Sequence, residues 1–71
     1  MNRISPAKLF NSKWTAVNPV NKEKHFIVTE VLRDEADTIT RCVLEAVHSG
    51  HQQTIDWREL KDSDIWLQGW K

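Results

Sequence analysis

His25-Phe26-Ile27-Val28-Thr29-Glu30-Val31-Leu32-Arg33 is a run of β-branched, aromatic and leucine side chains unbroken by glycine or proline, and it predicts a long strand. Simple alternation puts Phe26, Val28 and Leu32 on one face and Ile27, Thr29 and Val31 on the other. Apolar residues on both faces suit a central strand, or a barrel strand whose outer face is partly covered. Asp34-Glu35-Ala36-Asp37 then reads as a polar connection. Thr38 to His48 follows as a second long strand, with Ile39, Val43 and Val47 on one face and Cys42, Leu44 and Ala46 on the other. The two strands are expected to form a hairpin. Ser49-Gly50 supplies a tight turn, and Gln52 to Trp57 alternates as a third member of the meander.

Outward from this centre the signals are shorter. Lys13-Trp14-Thr15-Ala16-Val17 predicts a strand, which Asn18-Pro19 is expected to end with a turn. Ser5-Pro6 predicts one turn of helix leading in, with Leu9 and Phe10 capping one end of the core. After Trp57 the alternation stops. Asp62 or Ser63 is expected to cap a helical turn carrying Ile65 and Trp66, which Gly69 ends, letting Trp70 fold back. The fold expected is thus mainly β: an antiparallel meander of three to four strands, curled into a small barrel or half-barrel of SH3-like type, with short helical turns at both ends. A dimeric sandwich and a sheet covered by the terminal segments fit the same pattern.

With 71 residues the chain has room for a single domain, 1–71. One cysteine, Cys42, excludes an intramolecular disulfide, so packing or self-association must stabilise the core. Ten acidic and ten basic residues leave no broad positive field for non-specific nucleic-acid affinity. No apolar run reaches the ~20 residues of a membrane helix or the ~7–15 of a signal peptide. A cytoplasmic location is therefore expected, with no membrane partner.

Several segments together resemble a known group: Ser12-Lys13-Trp14-Thr15-Ala16-Val17, Lys22-Glu23-Lys24-His25-Phe26, Leu44-Glu45-Ala46-Val47, Trp57-Arg58-Glu59-Leu60, Trp66 and Gly69-Trp70. From about Ser5 to Lys71 the chain resembles the small bacterial tryptophan-rich conserved hypothetical proteins. The resemblance implies a bacterial origin and assigns no activity, cofactor or residue role.

The four tryptophans are the chief candidates for function, because an indole joins a large apolar body to one N–H donor. Trp14 and Trp57, each set in a strand, read as core. Trp66 and Trp70 lie near the end of the chain, where one face would stay open. With Arg58 they form the candidate contact set, Trp66, Trp70 and Arg58, for a protein segment met at a sheet edge or an aromatic-lined groove. The rival reading is a nucleic-acid binder using the same rings with Arg58, Lys61 and Lys71, weakened by the interleaved Asp56, Glu59, Asp62 and Asp64. A homodimer sealed by the tryptophans is the third. His48, Cys42 and His51 bear zinc-type donors without a metal-site spacing, and they read as a solvated turn and an inert mid-strand thiol. Nothing pairs Glu45 with Asp56 as acid and base, and only two glycines are present, too few for a phosphate loop. The expectation is a protein that is not an enzyme and holds no cofactor or metal.

Overall fold

The computed structural model describes residues 1–71. Its centre is the predicted pair of long strands, Glu23–Arg33 and Ile39–Ala46, flanked by Lys13–Val20 before and Gln52–Asp56 and Trp66–Gln68 after. Numbered β1 to β5 in chain order, they form one open antiparallel sheet of order β4-β3-β2-β1-β5. The molecule is mainly β, as expected, with five strands rather than three or four. The sheet ends in β4 and β5, which do not pair.

The turn expected around Ile65 is present: the Asp62 side chain accepts the Asp64 N–H, and the Asp62 carbonyl accepts the N–H groups of Ile65 (3.1 Å) and Trp66 (2.9 Å). It ends sooner than expected, because Trp66 opens the fifth strand. A separate 3-10 turn precedes it at Trp57–Lys61, where the Asp56 side chain accepts the Arg58 N–H. Trp57 and Leu60, three apart, eclipse on one side of such a turn and are both buried. Trp66 instead pairs with Ala16 of β1.

Two irregularities explain which side chains enter the core. Between Val28↔Leu44 and Glu30↔Val43, β2 advances two residues while β3 advances one, so Thr29 is the extra residue of a bulge. Val31 rather than Leu32 therefore joins Phe26 and Val28 against the core. Between Leu32↔Arg41 and Arg33↔Ile39 the extra residue lies on β3. That second shift brings Ile39 onto the core and away from Val43 and Val47, with which strict alternation grouped it.

Strand β1 also outruns its predicted end. It continues through Asn18-Pro19 to Val20, and the chain reverses at Asn21-Lys22, where φ is +55° and +63°. Both central residues in the left-handed region match the hairpin turn whose twist suits its strands. Pro19 sits where the ladder to β2 is irregular, so its missing N–H costs no regular rung.

The core lies on one face of the sheet. Trp14, Trp57 and Trp66 are all buried in it, with Phe26 edge-on to Trp66 at 5.1 Å. Leu9 is fully buried, whereas Phe10, expected beside it as a cap, is 60% exposed. The terminal segments close over the sheet. Asn2 donates through its side-chain amide to the carbonyls of Leu60 (2.9 Å) and Trp66 (2.7 Å). On the other face the Thr15 hydroxyl donates to the Gly69 carbonyl and accepts the Lys71 N–H. The Pro6–Lys8 segment forms the short lead-in turn that Ser5-Pro6 predicts. No helix is long and apolar enough to cross a membrane.

Candidate functional site

The open sheet leaves a concavity of about 470 Å³. Its floor is Phe26 of β2 and Trp66 of β5, with Ala16 of β1 between them in sheet order. One wall is Gln52 and Gln53 of β4; the opposite wall is Val20, Asp64 and Ile65. Residues from both ends of the sheet thus line the same hollow, so the sheet is concave and the hollow is the gap between its ends.

The rim is polar and internally paired. Glu23, just after the Asn21-Lys22 turn, accepts a hydrogen bond from the Ser49 hydroxyl and lies 2.8 Å from His51 Nδ1. The Ser49 bond, helped by His51, holds the Glu23 carboxyl below the usual carboxylate range. These contacts tie the first hairpin to the Ser49-Gly50 turn, where Gly50 takes φ +78°. Val20 and Ile65 remain exposed, at 68% and 44%.

The predicted contact set is not one surface. Trp66 is buried in the floor, because pairing with β1 turns its side chain into the core. Gly69, at φ +81°, then redirects the chain. Trp70 consequently lies across β1 and β2, 45% exposed, its Nε1 donating to the Phe26 carbonyl at 3.0 Å. Lys13 Nζ stands 4.9 Å from the centre of the Trp70 ring, and His25 tilts against it at 6.0 Å. The shared platform of Trp66 and Trp70 is therefore corrected to one buried ring and one half-exposed ring.

Arg58 belongs to the Trp57–Lys61 turn and forms a two-pronged pair with Asp56, at 3.1 and 2.8 Å. That pairing and the Arg58 N–H bring the Asp56 carboxyl from an ordinary 3.8 down to about 2. A depressed carboxyl favours the fold above its unfolded pKa, so this cap is intact above about pH 4 and is lost between pH 4 and about pH 2. Carbon-detected NMR titration should give Asp56 a midpoint near 2, and Arg58→Gln should move it upward. An unmoved midpoint would assign the shift to some other contact.

Cys42 is fully buried among the core side chains. Burial, with Asp56 and Glu59 adding, pushes its thiol up to about 11, which disfavours the thiolate needed for nucleophilic or metal chemistry. The zinc-type donors do not converge, since His51 pairs with Glu23 and no three such groups cluster. Sequence reasoning missed Glu23, Ser49, Gln53 and Ile65 as wall and rim residues. Their only common property is spatial, and no spacing signals it.

A family model described as "Tryptophan-rich protein (DUF2389)" matches residues 12–71. No curated protein and no solved structure matches the chain.

Proposed function

The chain belongs to this tryptophan-rich family of unknown function, and from that footing we propose that it is a small non-enzymatic interaction module whose groove takes an extended protein segment. The observation that carries the reading is the junction of the groove with the outer edge of β4. Strand β4 ends the sheet, so its outward N–H and C=O groups have no strand partner. Its sequence, Gln52-Gln53-Thr54-Ile55-Asp56, contains neither the proline nor the lysine that commonly blocks an edge. A segment adding to that edge would lay alternate side chains over Phe26 and Trp66, with Val20 and Ile65 as apolar lips. The hollow is of the size of ordinary ligand sites, roughly 300–1,000 Å³.

Selection from a random peptide library displayed against the full chain tests this. Enriched peptides should alternate apolar and polar residues and should shift the amides of Gln52, Gln53 and Thr54 together with the Trp66 indole N–H. Ile65→Lys, at an exposed lip, should weaken them about tenfold, roughly 1.4 kcal/mol of apolar contact. Enriched peptides that shift only other surfaces would refute the assignment. So would sedimentation as a dimer whose interface covers Val20 and Ile65, which favours the homodimer reading.

A further inference from the structure

The chain holds ten acidic and ten basic residues, but the β4 groove does not share that balance. Glu23 and Asp64 both line it, whereas no lysine or arginine does. Lys22 and Lys24 flank Glu23 in the chain, yet neither belongs to the hollow. The one other titratable group there is His51, whose Nδ1 lies 2.8 Å from the Glu23 carboxylate.

The two carboxylates come from opposite sides of the hollow. Glu23 is tied to Ser49 and His51, which lead into β4, while Asp64 precedes β5, and β4 and β5 are the two ends of the sheet. Each keeps accepting capacity for a ligand. Both contacts to Glu23 fall on Oε2, so its Oε1 accepts no bond. The Ser49 bond and the His51 contact hold this carboxyl below the usual range, and it stays ionised at neutral pH. Asp64 is positioned through its N–H, which donates to the Asp62 side chain at 2.9 Å. Its own carboxylate belongs to none of the three ion pairs, Arg33–Asp37, His51–Glu23 and Arg58–Asp56. The floor they share is apolar, Phe26 set edge-on to Trp66.

An apolar floor between two ionised rims suits one kind of side chain. Lysine and arginine lay an apolar stem along such a floor and carry a cationic head to its edge. We propose that the segment taken by the β4 groove is basic, with a lysine or arginine among the side chains it turns inward over Phe26 and Trp66. The inference rests on the β4-edge reading above and adds the partner's charge to it. An acidic residue at that position would meet two like charges, and a neutral one would leave both carboxylates without a counter-ion; complementarity of this kind sets specificity. A bare metal ion fits the same groove poorly, since no three of the chain's acidic, histidine and cysteine groups cluster.

Four displayed pools of short peptides test it, each alternating random apolar residues with threonine and differing only in a central inward residue of lysine, arginine, glutamine or glutamate. The tightest binders of each pool are titrated into the full chain and followed by NMR at the Gln52 and Gln53 amides and the Trp66 indole N–H. Lysine and arginine binders should be about tenfold tighter than glutamine ones, at about threefold for each carboxylate, and glutamate binders the weakest. Asp64→Asn removes a carboxylate that carries no internal bond, so it should cut the basic advantage to about threefold and leave the glutamine binders unchanged. Glu23→Gln should cut that advantage by a similar factor. Equal affinities across the four pools, with shifts at those three groups, would overturn the basic partner and leave the groove reading standing. A basic advantage that survives both variants would overturn it too, by assigning the charge contact to some other surface. Pools that yield no binder shifting those groups would overturn the groove reading, and this inference with it.

Discussion

Trp14→Ala should destabilise the fold by about 3–5 kcal/mol, the range for deleting a large buried aromatic. A single small core rarely supplies more than about 3–5 kcal/mol in total, so this variant should be largely unfolded at 25 °C. Trp14 is 1% exposed and sits between Phe26 of β2 and Gln68 of β5 in the sheet register. Its Nε1 donates to the Ser12 hydroxyl at 2.8 Å, and that hydroxyl donates on to the Leu9 carbonyl at 2.6 Å. The indole therefore both fills the core and orients the segment that carries Leu9 into it. Trp14→Phe keeps most of the apolar body, and the Ser12 hydroxyl keeps its Leu9 acceptor, so it should cost only about 1–2 kcal/mol. Trp70→Ala removes a half-exposed ring and one hydrogen bond, and about 1–1.5 kcal/mol is expected. Urea unfolding followed by circular dichroism ranks the three. A Trp70 variant less stable than the Trp14 one would mean that the tail, not β1, anchors the domain.

The long hairpin was legible because its evidence is local. His25 to Arg33 and Thr38 to His48 announce themselves by β-branched content and alternation, whatever the rest of the chain does. The bulge at Thr29 was not legible, since threonine is an ordinary strand residue and only the pairing with β3 reveals the extra step. Strand β5 illustrates the same limit. Trp66-Leu67-Gln68 is too short to declare a strand, and it becomes one by hydrogen bonding to Trp14, Thr15 and Ala16. At the first hairpin two turn signals compete within a few residues. Asn18-Pro19 is the stronger by composition, but Asn21 adopts the positive φ that the tight reversal requires.

The candidate site shows why proximity in sequence misleads. Trp66, Trp70 and Arg58 were grouped because they share the C-terminal third, yet Gly69 sends the two indoles to different environments and Asp56 engages Arg58. What the fold brings together instead is dispersed. The β4 groove draws on β1, β2, the Ser49-Gly50 region and the approach to β5. Tryptophan content pointed to ring platforms, whereas two of the four rings seat lysines.

Leu60→Ala should cost about 2–5 kcal/mol, and its effect should be readable at a thiol that the leucine is not bonded to. Leu60 is fully buried and belongs to the same hydrophobic core as Cys42. The turn that carries it packs against both β3 and β5, so removing the side chain loosens the centre and one end of the sheet together. In the native chain Cys42 should react with a disulfide reagent only when the fold opens. A loss of 2 kcal/mol raises the open population about 30-fold, so labelling should accelerate by at least about that factor until opening is no longer limiting. The volume-conserving Leu60→Met, expected to cost under about 1.5 kcal/mol, should accelerate it far less. pH supplies a second axis. The thiol pKa rises from 9.0 to about 11 on folding, so its contribution to stability is intact below pH 9 and falls as pH rises from 9 toward 11. Native labelling should therefore steepen above pH 9 beyond what thiolate formation in a free thiol provides, and Cys42→Ala should abolish that thiol-linked loss of stability. If Leu60→Ala lowers the urea midpoint but leaves Cys42 labelling unchanged, the Trp57–Lys61 turn opens separately from β3, and the core is two cooperative units rather than one.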